Sequence, residues 1–182
     1  MNFTQKIASG FVGLSLLLTP GMKAGVEEDH DVLWNALEEV GVELYLNDTE
    51  YCDADKGVSG LYSPSHNIMI ICQDGRIPIS SREVDWTEND YDTLRHEAHH
   101  VVQDCVAGLE NGNMGSYFDD EDTYTEFVKT ALTEKQINNI VKTYRESGGT
   151  DEVVVHEVEA FAVASSIPPD SIARSLVKVC NQ

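Results

Sequence analysis

The sequence predicts an α+β domain in which a small antiparallel sheet packs against several helices. Three observations carry this expectation. "VELYLND" alternates apolar and polar residues, and "GVSGLYSPSHNIMIICQD" reads as two short strands around the turn-forming "SPSHN". From Tyr91 onward, apolar residues recur at three- and four-residue spacing over four successive stretches. The breaks between those stretches fall on glycine, on "SGGT" and on "PPD". At 182 residues the chain suits one domain with its own core.

The first 24 residues read as a separate segment. Lys6 precedes an apolar run from Ile7 to Leu18, followed by "TPG" and Ala24, which is the order of a secretory signal peptide cleaved near Ala24. The run of about 12 residues is too short to cross a bilayer as a permanent anchor. The expected organisation is therefore a signal peptide over 1–24, a folded domain over 25–182, and export to the periplasm or beyond. Losing Lys6 and Lys23 with the leader leaves 10 basic against 32 acidic residues, a net charge of −22. Such a surface repels nucleic acid and anionic membranes and favours solubility. With no evident oligomerisation face, a monomer is expected.

Cys52, Cys72, Cys105 and Cys180 are even in number and contain no CxxC pair, so in an exported chain they read as up to two disulfides. Three pairings are open. Cys52 and Cys72 bracket the strand pair, which favours Cys52–Cys72 with Cys105–Cys180.

Taken in order, "DHDVLWNALEEVG" places Val32, Leu33, Ala36 and Leu37 at helical spacing and stops at Gly41. The strands follow, and "GRIPISSREVDWTEND" is loop, its "TEND" supplying caps for the next helix. That helix runs from Tyr91 to about Ala107, with Leu94, Ala98, Val101, Val102 and Cys105 as its stripe and Gly108 as its stop. "ENGNMGSYFDDEDTY" reads as an acidic loop; "DDEDTYTE" lacks the D-x-D-x-D-G calcium pattern and is taken as solvated. "LTEKQINNIVKTYR", the apolar "DEVVVHEVEAFAVASSI" and "PPDSIARSLVKVC" supply the remaining helices.

Within the Tyr91 helix, His96-Glu97-Ala98-His99-His100 satisfies H-E-x-x-H. Residues four apart share a helix face, so His96 and His100 can present two imidazoles to one metal. Zinc lowers the pKa of a water it binds towards neutrality, and Glu97 is offset so as to take that proton. A catalytic zinc needs a third protein ligand, and "HEVEAFAVA" offers Glu157 and Glu159 on an apolar helix, where an unpaired carboxylate is costly. His99 competes with His100 but fits the spacing less well, and is expected to be a surface residue or a neighbour of the site. Asp104, one turn beyond His100, can accept from a ligand imidazole and fix its tautomer, or be a solvated acid. Cys105 points elsewhere and suits a disulfide.

In these stretches, Tyr91–Cys105 and Val153–Ser165, the chain resembles the gluzincin-type zinc metallopeptidases. The resemblance implies a zincin-like fold and a zinc-dependent hydrolase, a metalloprotease acting on a peptide or protein substrate. A helical E-x-F-A pattern would make Glu159 the third ligand, in Glu159-Ala160-Phe161-Ala162. The alternative pattern E-x-E-A-D would choose Glu157, but Phe161 stands where it has aspartate. Tyr144 and His156 are the candidates for stabilising an oxyanion. The strand near Ile68–Ile71 is expected to lie at a sheet edge and pair with extended substrate. A second reading is a non-catalytic zinc-binding or interaction domain on the same scaffold. A third is an exported structural domain without metal.

Overall fold

The computed structural model of the chain describes residues 26–52, 57–109 and 113–181. The expected leader, residues 1–24, lies outside them. Six helices and three strands follow in the order α1 (Val26–Glu39), β1 (Glu43–Leu46), β2 (Gly60–Ser63), β3 (Ile68–Ile71), α2 (Glu88–Ala107), α3 (Glu121–Ala131), α4 (Glu134–Glu146), α5 (Asp151–Ser166) and α6 (Pro169–Cys180). The α+β class is as expected.

The sheet differs from the expectation of an antiparallel one. Its strand order is β1-β3-β2, with β2 antiparallel to β3 and β1 parallel to it, Glu43 opposite Ile68 and Leu46 opposite Ile71. Apolar alternation reports which face of a strand is buried, not which way its neighbour runs. The tight "SPSHN" turn fixes β2 and β3 as a hairpin, and β1 enters on the opposite flank of β3. β3 is thus the central strand with both sides paired. Ile68–Ile71 is not a sheet edge, and the strand that borders α2 with a free side is β2.

α2 is the central helix. Thr87 caps it, accepting from the Asp90 N–H while the Asp90 carboxylate accepts from the Thr87 N–H, and Gly108 closes it in the left-handed conformation at φ 96°. Its stripe of Leu94, Ala98, Val101 and Val102 joins Leu37 of α1, Met69 of β3 and Leu176 of α6 in the main core. α1 turns slightly from the expected face: Val32 is 49% exposed and His30 points inward instead. A second core, with Val128, Leu132, Ile140, Val154 and Phe161, joins α3, α4 and α5.

α3 was not expected. Asp120 caps it through the Thr123 N–H, and Glu121 and Asp122 occupy its first turn. Acids there are favoured by the amide groups exposed at a helix start. The acidic run taken as solvated loop is in part the opening of a helix. Both disulfides have the favoured pairing, Cys52–Cys72 and Cys105–Cys180. The first tethers the segment after β1 to the end of β3; the second joins the last turn of α2 to that of α6.

Candidate metal centre

α2 and α5 pack against each other, and their contact brings three ligand atoms together. His96 and His100 lie one turn apart on α2, with their Nε2 atoms 3.0 Å from each other. Glu157 of α5 reaches both, its Oε2 3.2 Å from His96 Nε2 and 3.5 Å from His100 Nε2. Tetrahedral zinc with bonds near 2.0–2.1 Å holds its ligand atoms roughly 3.3 Å apart. The triangle therefore fits such an ion. Among the described residues, His96, His100 and Glu157 form the one group able to hold a metal. Phe161, one turn after Glu157, packs its ring 4.6 Å from that of His96 and walls the cluster.

Charge at the cluster is balanced by imidazoles. Burial disfavours the Glu157 carboxylate, but His100 and His96 outweigh it and hold this acid ionised well below the usual range. Burial lowers His96 to about 4. It acts the same way on His100, but the Glu157 carboxylate, helped by Glu97 and Gln103, prevails and raises that imidazole to about 9.

Glu97 lies against β2. Its carboxylate accepts a backbone hydrogen bond from Tyr62, and Oε2, buried, has no hydrogen-bond partner among the described residues. Burial first, then the Glu157 charge, raises its pKa to about 8, against the pull of His100. The approach depends on Gly60: a Cβ there would fall 2.5 Å from Thr93 Cγ2 and 3.2 Å from Glu97 Cγ. His96, Glu97, His100 and Glu157 are each only 1% exposed.

Glu159, the expected third ligand, is not in the cluster. Its carboxylate is taken up by His99 Nε2 at 2.7 Å, Ser116 Oγ at 2.6 Å, and the Gln103 amide and Tyr117 N–H, each at 3.1 Å. His99, expected as a neighbour of the site, is the partner of Glu159. Asp104 does not touch a ligand imidazole; it accepts from the Tyr62 hydroxyl at 2.7 Å. The group on His100 Nδ1 is Gln103, its Oε1 at 2.7 Å. Sequence reading missed Gln103, although it stands three residues beyond His100 on the same helix face. It also missed Ser116, for which no local pattern gives a signal.

Of the two oxyanion candidates, Tyr144 is 7% exposed and lies against the Glu157 carboxylate without a well-aligned hydrogen bond. Burial, then the Glu157 charge, raises its pKa well above the ordinary tyrosine value. His156, lowered by burial, sits towards Glu159 and His100, and its backbone oxygen accepts from Gln103. Cys105 is in its disulfide, away from the cluster.

No known family pattern matches the chain, and no curated protein or solved structure is similar to it. What stands on geometry alone is a buried His96, His100 and Glu157 cluster that could bind a metal, in a disulfide-linked α+β chain. Two disulfides fit an oxidising environment outside the cytoplasm. No described helix is long and apolar enough to cross a membrane.

Proposed function

We propose that the protein is an exported zinc-dependent hydrolase in which His96, His100 and Glu157 hold the metal and Glu97 is the general base. The convergence of three buried ligand atoms at 3.0, 3.2 and 3.5 Å carries the metal assignment. The H-E-x-x-H spacing adds the base, and the resemblance to gluzincin-type metallopeptidases adds the peptide bond as substrate.

Bound there, zinc supplies Lewis acidity, which acidifies water and polarises a carbonyl. Glu97 has an oxygen free for a proton at Oε2 while Tyr62 holds its carboxylate in place, and a divalent cation held beside it would favour the ionised form a base requires. Its burial excludes bulk water from that transfer. Tyr144, with its hydroxyl beside Glu157, is the expected group we assign to donate to a developing oxyanion. His156 lies further round, towards Glu159.

Glu97→Gln is expected to abolish cleavage of a peptide library while retaining zinc, read by product mass spectrometry and elemental analysis of one preparation. Cleavage at the parent rate by this variant rejects Glu97 as the base. The exposure of the cluster favours a second reading. Ligands and base at 1% exposed suit a closed, non-catalytic zinc site, which binds metal and cleaves nothing. Zinc bound by the parent without turnover of any library member selects that reading.

A further inference from the structure

Gln103 has a side chain whose orientation can be read without ambiguity. It is fully buried. One end of its amide lies 3.1 Å from the backbone oxygen of His156, which can only accept, so that end is the NH₂ group. The same Nε2 donates to Glu159 Oε1 at 3.1 Å. The other end is therefore the carbonyl oxygen, and it faces His100 Nδ1 at 2.7 Å. An imidazole nitrogen facing a carbonyl at that distance must carry its proton. His100 is thereby committed to Nδ1–H, so that Nε2, which faces His96 and Glu157, is the atom left to bind a metal.

Glu159 holds Gln103 in turn. It accepts four hydrogen bonds, from His99, Gln103, Ser116 and Tyr117. Those donors come from α2 and from the segment after it, where the Gly115 N–H also donates to the Gln103 backbone oxygen at 2.9 Å. A fully buried carboxylate with four donors is fixed in place, since losing any of them leaves a costly unpaired group.

We propose that Gln103 and Glu159 are positioning residues for the metal centre: Glu159 clamps the Gln103 amide, and the amide sets the tautomer and ring orientation of His100. Ser116 and Tyr117 extend the clamp to the segment preceding α3. This rests on the metal reading above and assigns a purpose to the second glutamate of "HEVEA" that ligation does not use. Partners of this kind, one bond removed from a ligand, typically change metal affinity by about 10–100-fold when lost.

The test uses the full folded domain, titrated with zinc against a chromophoric chelator, and long-range proton–nitrogen NMR of the zinc-loaded protein to read the His100 tautomer. The parent is expected to show the proton on Nδ1. Gln103→Leu is expected to bind zinc about 10–100-fold more weakly, with that proton no longer protected from exchange. Gln103→Glu sets two carboxylates against each other and is expected to be as weak. Ser116→Ala weakens binding in the same direction and by less. The proposal is overturned if the parent carries the His100 proton on Nε2, which needs no variant to fold. It is also overturned if Gln103→Leu matches the parent in both readouts. A parent that binds no zinc removes the metal reading itself and this proposal with it; bound zinc with unaffected variants removes the positioning role alone.

Discussion

Glu157 and Glu159 stand two residues apart on α5, a step that turns side chains by about 200° around the helix axis. Glu157 meets His96 and His100, while Glu159 is consumed by His99, Gln103, Ser116 and Tyr117. The account therefore predicts that Glu157→Gln loses its zinc on dialysis, whereas Glu159→Gln keeps the metal at reduced affinity; a chelator competition on the two proteins separates them. At Gly60 the prediction concerns packing. Gly60→Ala drives a methyl into Thr93 and crowds Glu97, and is expected to cost about 1–3 kcal/mol in urea denaturation. The two histidines of the cluster were legible in the sequence because one helix turn fixes their spacing. The glutamate that joins them was not, because it depends on how α5 is rolled against α2. Phe161, where the alternative pattern has aspartate, pointed away from Glu157. In the folded chain it packs on His96 from the same face as Glu157, so the residue that argued against Glu157 is part of the wall of the cluster.

α2 must hold its two imidazoles at a fixed height relative to α5, and both of its ends are secured. The Thr87–Asp90 capping box starts it, and the Cys105–Cys180 disulfide ties its last turn to α6. Thr87→Ala is expected to lower stability by about 1 kcal/mol. Replacing Cys105 and Cys180 with alanine is expected to cost about 2–5 kcal/mol; urea titration measures both. These features were readable: the "TEND" cap, the stop at Gly108 and the favoured cysteine pairing each rest on local chemistry or on position relative to a strand pair. Two features of the elements were not. The direction of β1 against β3 leaves no trace in alternation. The acids of "DDEDTYTE" suit a solvated loop and a helix start equally well until Asp120 is seen capping Thr123.

On the scale of the molecule, the site lies where two cores meet: α2 belongs to the main core with α1, α6 and the sheet, and α5 carries the second with α3 and α4. Three buried acids, Glu97, Glu157 and Glu159, lie along this junction in a chain of net charge −20. A divalent cation bound at His96, His100 and Glu157 would link the two halves directly. Zinc at 100 times its dissociation constant should then raise the folding free energy by about 2.7 kcal/mol, seen as a higher melting temperature that chelator reverses. Composition and charge indicated an acidic one-domain chain but could not indicate this junction, which arises from pairing between residues some sixty positions apart, as in His99 with Glu159. The measurement that bears most directly on the account is the zinc content of the purified, dialysed protein by elemental analysis, parent beside Glu157→Gln. The account predicts equimolar zinc in the parent and a loss of it in the variant. A parent without zinc, or a variant that keeps as much as the parent, would contradict it.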